Sequence, residues 1–243
     1  ALLCILVVLD ARGQALRAAE ADMARVTATV AQQAVRLLEG QALLLDLIDR
    51  AAGERDCAAL RADPGFQEFM TFAERRSTLT DTAWVLDAEG FLCVASNPEK
   101  MDARSRAFRE YFGAARDGAP GSYFVDRAVV GIVTGTPAFN VARRRGGARF
   151  TGVLLAAVDL PEFVAQWGET VITRPTQRVA LKRLDGAPIA RSWPPVVPEP
   201  DAAAEARVAG IWRSRPVGSF VGQSSFDGEA RVGAWQVLPG WNV

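Results

Sequence analysis

The sequence predicts an α+β fold: one long amino-terminal helix followed by two antiparallel-sheet units in tandem. Three observations carry this reading. Residues 10 to about 52 hold neither Pro nor a cluster of turn residues, and Ala, Leu, Arg, Glu and Gln dominate them. Apolar runs at 82–86 and 91–95 flank Asp87-Ala88-Glu89-Gly90, a hairpin signal with a glycine free to take a positive φ. Residues 179–184 and 187–190 repeat the same plan around Asp185-Gly186.

Taken in order, residues 1–9 carry no charge before Asp10. So short a run cannot cross about 30 Å of hydrocarbon, which takes about 20 helical residues. It reads as the trailing end of a membrane-spanning helix, the alternatives being a buried helix start or the core of a signal peptide. In residues 10–52, Val26, Val30, Ala34, Leu37, Leu38, Leu44, Leu45 and Ile48 recur near helical spacing. A helix of some 40 residues is about 60 Å long, which suits a stalk, with a bend expected at Gly40. A helical region at 56–75 is broken near Pro64-Gly65. Next come the first hairpin, a helix at 103–115, a Gly/Pro-rich loop, strands at 122–126, 138–143 and 150–158, and a short helix at 161–167. A smaller unit starts at 172, with a Pro-rich loop at 193–200 and strands at 218–221, 230–237 and from Trp241. The expected division is therefore 1–9, 10–52, 53–171 and 172–243.

Composition narrows the chemistry. Lys+Arg and Asp+Glu both number 28, so there is no basic field for nucleic acid, and the Arg143-Arg144-Arg145 run reads as a solvated turn. Histidine is absent, which removes Ser-His-Asp and Cys-His catalysis and the commonest metal ligand. No phosphate-cradling glycine motif is present. Cys4, Cys57 and Cys93 are too few and too scattered for a disulfide framework or a zinc site. Cys93, in an apolar strand, reads as a small hydrophobe, with a Cys57–Cys93 bridge left open for an oxidising compartment. No cofactor and no metal are expected.

Phe108, Tyr111, Phe112 and Ala115 share a helical face that by default packs on a sheet. Arg109 lies one turn before Phe112. An Arg beside aromatic rings can clamp a carboxylate in two parallel hydrogen bonds, although pairing with Glu110 is an equal reading. Asp159 ends the apolar run 153–158, where it is placed either to cap the helix that begins at Leu160-Pro161 or to meet a ligand. Asn140 shares a strand face with Ala138 and Ala142 by two-residue alternation.

The order of these segments, Arg-Ala-Phe-Arg-Glu-Tyr-Phe (106–112), Gly-Ser-Tyr-Phe-Val (121–125), Pro-Ala-Phe-Asn-Val-Ala-Arg-Arg (137–144) and Gly-Val-Leu-Leu-Ala-Ala-Val-Asp-Leu (152–160), resembles the double Cache sensors. These are extracytoplasmic ligand-binding regions of bacterial transmembrane receptors. The resemblance implies a PAS-like membrane-distal domain holding a pocket and a smaller membrane-proximal PAS-like domain. It also implies a ligand set of Arg109, Tyr111, Phe112, Tyr123, Asn140 and Asp159. In amino-acid-binding members the Arg and aromatics hold the ligand carboxylate and the acidic residue takes the ammonium. This chain departs from that pattern in carrying Phe108 before the Arg and Arg104 where that subset has a Tyr. Arg104 and Arg106 instead favour a di-acid or another anion.

The expected function is thus small-molecule sensing in the periplasm as part of an inner-membrane receptor, without catalysis. The expected partners are a carboxylate, amino acid or other small metabolite, and the membrane through flanking helices. A homodimer is left open and nucleic acid is not expected. Two other classes compete: a structural dimerisation module with a vestigial pocket, and a membrane-anchored enzyme using Asp87, Asp126 or Asp159.

Overall fold

The computed structural model describes residues 2–77, 79–131, 135–194, 201–224 and 228–243. The Pro-free segment forms one uninterrupted helix, α1 (Leu2–Ala52), of 51 residues. It passes through Gly40 without folding back, since nothing stands within 4 Å of that glycine's missing side chain and its neighbours keep the helical ladder. Only its C-terminal half is fully packed: Ala34, Leu38, Leu45, Ile48 and Ala52 are buried, a stripe at one-turn spacing. No described helix is long and apolar enough to cross a membrane.

The expected break at Pro64 separates α2 (Cys57–Arg61) from α3 (Pro64–Arg76). The Asp56 carboxylate accepts from the Ala59 N–H and that of Asp63 from Gly65 and Phe66, with Pro64 at the first helical position, where its missing N–H costs nothing. Cys57 and Cys93 are joined in a disulfide, with Cα atoms 5.0 Å apart, which pins α2 to β2 (Leu92–Ala95). Cys93 is therefore a cross-link and not the free hydrophobe expected. The register of α2 against the strand, invisible from a spacing of 36 residues, brings the two sulfurs together.

β1 (Thr80–Leu86) and β2 form the first expected hairpin. They belong to an antiparallel sheet with β3 (Tyr123–Val125), β4 (Val129–Val130), β5 (Pro137–Arg145) and β6 (Gly152–Asp159), in the order β2-β1-β6-β5-β3, with β4 also on β5. The second expected hairpin is β7 (Ala180–Lys182) with β8 (Pro188–Arg191). Gly90 and Gly186 have φ of 82° and 92°, and a Cβ would come within 2.5 Å of Ala107 N and 2.1 Å of Glu205 O respectively. Glycine is thus required twice over at each, by backbone sign and by close approach.

Alternation divides the six-stranded sheet cleanly. Ala83, Val85, Phe139, Val141, Leu154, Ala156 and Val158 pack toward α1, joined by Phe163 and Trp167 of α5 (Leu160–Thr170). Leu86, Ala142, Val153 and Leu155 pack on the other face against Tyr111, Phe112 and Ala115 of α4 (Glu110–Asp117). α4 is shorter than the expected 103–115 helix. Ser105 and Arg106 are held in an extended approach by bonds to the β1–β2 turn, Ser105 Oγ donating to the Glu89 carbonyl and the Arg106 N–H to that of Gly90.

The Arg143–Arg145 run is not a solvated turn. It ends β5, where Arg143 pairs with Asp46 and Asp49 on α1 and Arg145 bonds the Gly53 and Arg55 carbonyls, while Arg144, on the opposite face, bonds the Arg116 carbonyl.

The C-terminal part holds β7–β8, a helix α6 (Ala202–Ser214) and a second ribbon of β9 (Val217–Gln223) with β10 (Ala230–Gln236) packed on α1. α6 was not expected, although Asp201, whose carboxylate accepts from the Ala204 N–H, gives a start signal. Most of the expected Pro-rich loop, 195–200, lies outside the described residues. The strand expected from Trp241 is a turn: the Asn242 side chain accepts from the Val125 N–H at 2.9 Å and donates to its carbonyl at 3.0 Å, which takes the place of a further ladder.

Candidate functional site

A small cavity of about 30 Å³ lies between the α4 face of the sheet and the segment leading into α4. β1 supplies Thr82 and Trp84, β5 supplies Ala138 and Asn140, and β6 supplies Ala157, positions that alternation and antiparallel register put on one face. Arg106, Arg109 and Tyr111 close it from the other side, with Asp81 at its margin.

The polar groups here are mostly donors. The buried Trp84 indole N–H has no hydrogen-bond partner. Among the described residues nothing accepts from the Arg109 guanidinium, whose one close neighbour is the Phe108 ring, 5.4 Å from ring centre to Cζ. Arg106 is 3% exposed; it bonds the Arg104 carbonyl and the Asp102 carboxylate, and lies over Trp84. It therefore contributes a positive field from a fixed position, while Arg109 keeps unsatisfied donors. The Tyr111 hydroxyl is held neutral, since burial pushes its pKa well above the ordinary value.

Behind Asn140 lies Asp126, only 2% exposed. The Asn140 amide donates to it at 3.5 Å and the Arg127 N–H at 2.9 Å. Burial is the main cause that raises its pKa to about 6, with Glu110 adding to it and the Arg127 N–H, Asn140 and Arg183 opposing it. Asp126 is therefore protonated below about pH 6 and charged above it, and its negative charge is met by the Arg127 N–H, Asn140 and Arg183, while the unpaired donor set in front is a complement to an anion.

Of the residues expected to form the ligand set, Arg109, Tyr111 and Asn140 line this cavity. Three others do not. Phe112 is 1% exposed and packs edge-on against Phe150 at 5.7 Å, so its ring belongs to the core beneath α4. Tyr123 pairs in register with Arg143 and so points to the opposite, α1 face. There its hydroxyl donates to Asp46 at 2.5 Å and its ring meets Trp241; burial, helped by that carboxylate, pushes its pKa up to about 12. The neighbouring Phe124 takes the α4 face. Asp159 stands on the cavity face beyond Ala157, opposite Ala138, but accepts from the Glu162 N–H at 2.7 Å and is the cap of α5. Trp84 and Thr82 were missed, and Arg106, expected to favour an anion but left out of the ligand set, lines the cavity. Alternation from the buried Leu86 would have put Thr82 and Trp84 on one face, but no local signal distinguishes the α4 face from the α1 face.

No family model and no curated protein matches this chain. Solved structures do. The extracellular domain ascribed to a histidine kinase, rpHK1S-Z16, superposes with a TM-score of 0.76 at 22% identity over 94% of this chain and 92% of that one. Methyl-accepting chemotaxis protein X gives 0.65 at 12% identity, covering 96% of each. The ligand-binding domain of the Pseudomonas fluorescens chemoreceptor CtaA, in complex with L-valine, gives 0.54 at 14% identity over 90% of this chain and 96% of that one. At these identities the likeness is one of fold, and it runs the length of the chain. The long helix and the antiparallel sheets behind it are thus the fold of extracellular double Cache sensor domains of histidine kinases and chemoreceptors.

Proposed function

We propose that this chain is the extracytoplasmic sensing domain of a bacterial membrane receptor and that it binds a small carboxylate-bearing ligand between α4 and the six-stranded sheet. The observation that carries this is the convergence of the unpartnered Arg109 guanidinium and Trp84 N–H, with Tyr111 and Asn140, on one cavity. The cavity has room for one or two water-sized groups. A carboxylate headgroup fits that space, and the half-exposed Arg109 must swing outward to admit the body of the ligand. The CtaA domain, of similar fold, is in complex with L-valine, which supports a ligand of amino-acid size. In this chain Arg106 and Arg109 bias the site toward anions, a di-acid included. The residues expected to form the membrane-distal domain, 53–171, contain the site, and 172–243 form the membrane-proximal unit. The uncharged residues at the start of α1 carry the helix toward the membrane.

A ligand that binds only the native state raises the melting temperature by mass action. A thermal-shift screen of amino acids, mono- and dicarboxylates, polyamines and purines is the test. Stabilisation by carboxylates and not by polyamines is expected; a flat response to every anion at millimolar concentration would favour a ligand-free dimerisation module.

A further inference from the structure

A second and far larger cleft, about 590 Å³, opens between α1 and the C-terminal part of the chain, remote from the α4 cavity and sharing none of its residues. Protein interiors pack to crystal-like density with few voids larger than a water. A cleft of this size falls within the roughly 300–1,000 Å³ of small-molecule sites. One wall is a helical stripe, Ala19, Met23, Val26 and Val30, of which the first three remain half-buried although β10 packs along this stretch. Facing it are Trp193, Trp212, Trp235 and Phe220, so that three of the chain's six tryptophans gather on one cleft.

Among the described residues that line the cleft, the charges are of one sign with a single exception. Arg174, Arg178, Lys182 and Arg231 line the cleft, against one acid, Asp22, which lies 3.8 Å from Arg174. Burial pushes the pKa of Lys182 down, with Arg191 adding to it and the carboxylates of Glu205 and Asp201 opposing it, so its ammonium stands at low-dielectric walls where charge interactions are strong. Apolar rings and a helix stripe with an excess of cations are the complement of an amphipathic anion. We infer that this cleft is a second binding site, and that its ligand is a carboxylate with an apolar body of medium-chain fatty-acid size. Its chain lies between the α1 stripe and the tryptophans, and its carboxylate meets Lys182 and the neighbouring arginines. Because α1 is a wall of the site, occupancy bears directly on the element that runs along both sheet regions.

The probe is octanoate, with 1-octanol as its neutral counterpart, followed by tryptophan fluorescence and by calorimetric titration. Octanoate should bind saturably and about tenfold or more tighter than octanol. Lys182→Gln should lower octanoate affinity by about tenfold, because glutamine offers the carboxylate no charged donor, and should leave octanol unchanged. Val26→Phe, which fills the cleft, should weaken both, while Arg109→Ala should change neither, which separates this site from the α4 cavity. The inference is overturned by an absence of saturable octanoate binding, by equal affinity for octanol, or by binding that Arg109→Ala abolishes. Unchanged affinity in a folded Lys182→Gln protein overturns it equally, and that variant with the octanoate–octanol contrast decides the matter even where Val26→Phe fails to fold.

Discussion

Arg109 holds an unpaired guanidinium at the cavity, against the Phe108 ring, and supports little of the core. Arg109→Ala is therefore expected to weaken binding of a carboxylate found in the screen by about tenfold to a hundredfold, the worth of a charged hydrogen bond of about 1.5–3 kcal/mol, without changing the melting curve of the free protein. Calorimetric titration beside unfolding curves checks both halves. Asp126 makes a prediction of opposite character. Its folded pKa, about 6, lies above its ordinary 3.8, so the native state holds the proton more tightly than the unfolded chain. The stability this group contributes is full below about pH 4 and lost as pH rises through about 6, amounting to at most about 3 kcal/mol. Asp126→Asn should then be the more stable protein at pH 8 and lose that advantage by pH 4. Equal differences between mutant and wild type at both pH values would show that folding does not raise the pKa of Asp126.

Among elements, the disulfide and the caps decide how the segment between α1 and the sheet is held. α2 has five residues, too short to be stable on its own propensity, and is fixed by its Asp56 cap, the burial of Leu60 and the Cys57–Cys93 bond to β2. Cross-linking across 36 residues constrains the unfolded chain by an amount worth ~3–4 kcal/mol. Reduction, or replacing both cysteines by alanine, should lower stability by about that much and leave the β1–β6 pairing intact. Denaturant melts with and without reductant measure the loss, and amide exchange should show α2 opening first. Asp159 belongs at this scale as well: its carboxylate caps α5, whose Phe163 and Trp167 pack on the sheet.

At the scale of the molecule, α1 spans both sheet regions, with β5 and β6 against its C-terminal half and β10 against the part before it. A second tie joins these regions where the Asn242 side chain closes two hydrogen bonds on Val125, beside the Tyr123–Trp241 ring contact. Asn242→Ala should cost about 2 kcal/mol through the two hydrogen bonds it removes. It should also speed exchange of the Val125 amide and of residues 238–243, while β1 and β6 stay protected. Exchange unchanged at Val125 would mean that the ring contact and α1 alone join the two regions. A ligand at the α4 cavity reaches the rest of the chain only so far as it favours one arrangement of these ties over another.

The local features of this chain were legible in its sequence because they are written in short range. Absence of Pro and a one-turn apolar period gave α1, glycines required at positive φ gave both hairpins, and alternation correctly grouped Ala138, Asn140 and Ala142. Arg109, Tyr111 and Asn140 emerged as candidates on motif order and do line one cavity. Alternation states only which residues share a face; whether that face meets α1 or α4 depends on contacts between segments far apart in the chain. That is why Tyr123, at the correct place in the motif, turned to Asp46 and Trp241, and why Trp84 and Thr82 entered the cavity unannounced. The same holds for Cys57 and Cys93, whose pairing required α2 to be docked on β2, and for the basic, tryptophan-lined cleft, whose walls come from α1, β7, α6 and β10. The sequence by itself determined the elements and their periodicity, because those follow from steric and hydrophobic rules a few residues long. Tertiary packing alone decided which side chains converge, because convergence is a property of distances that the order of residues does not contain.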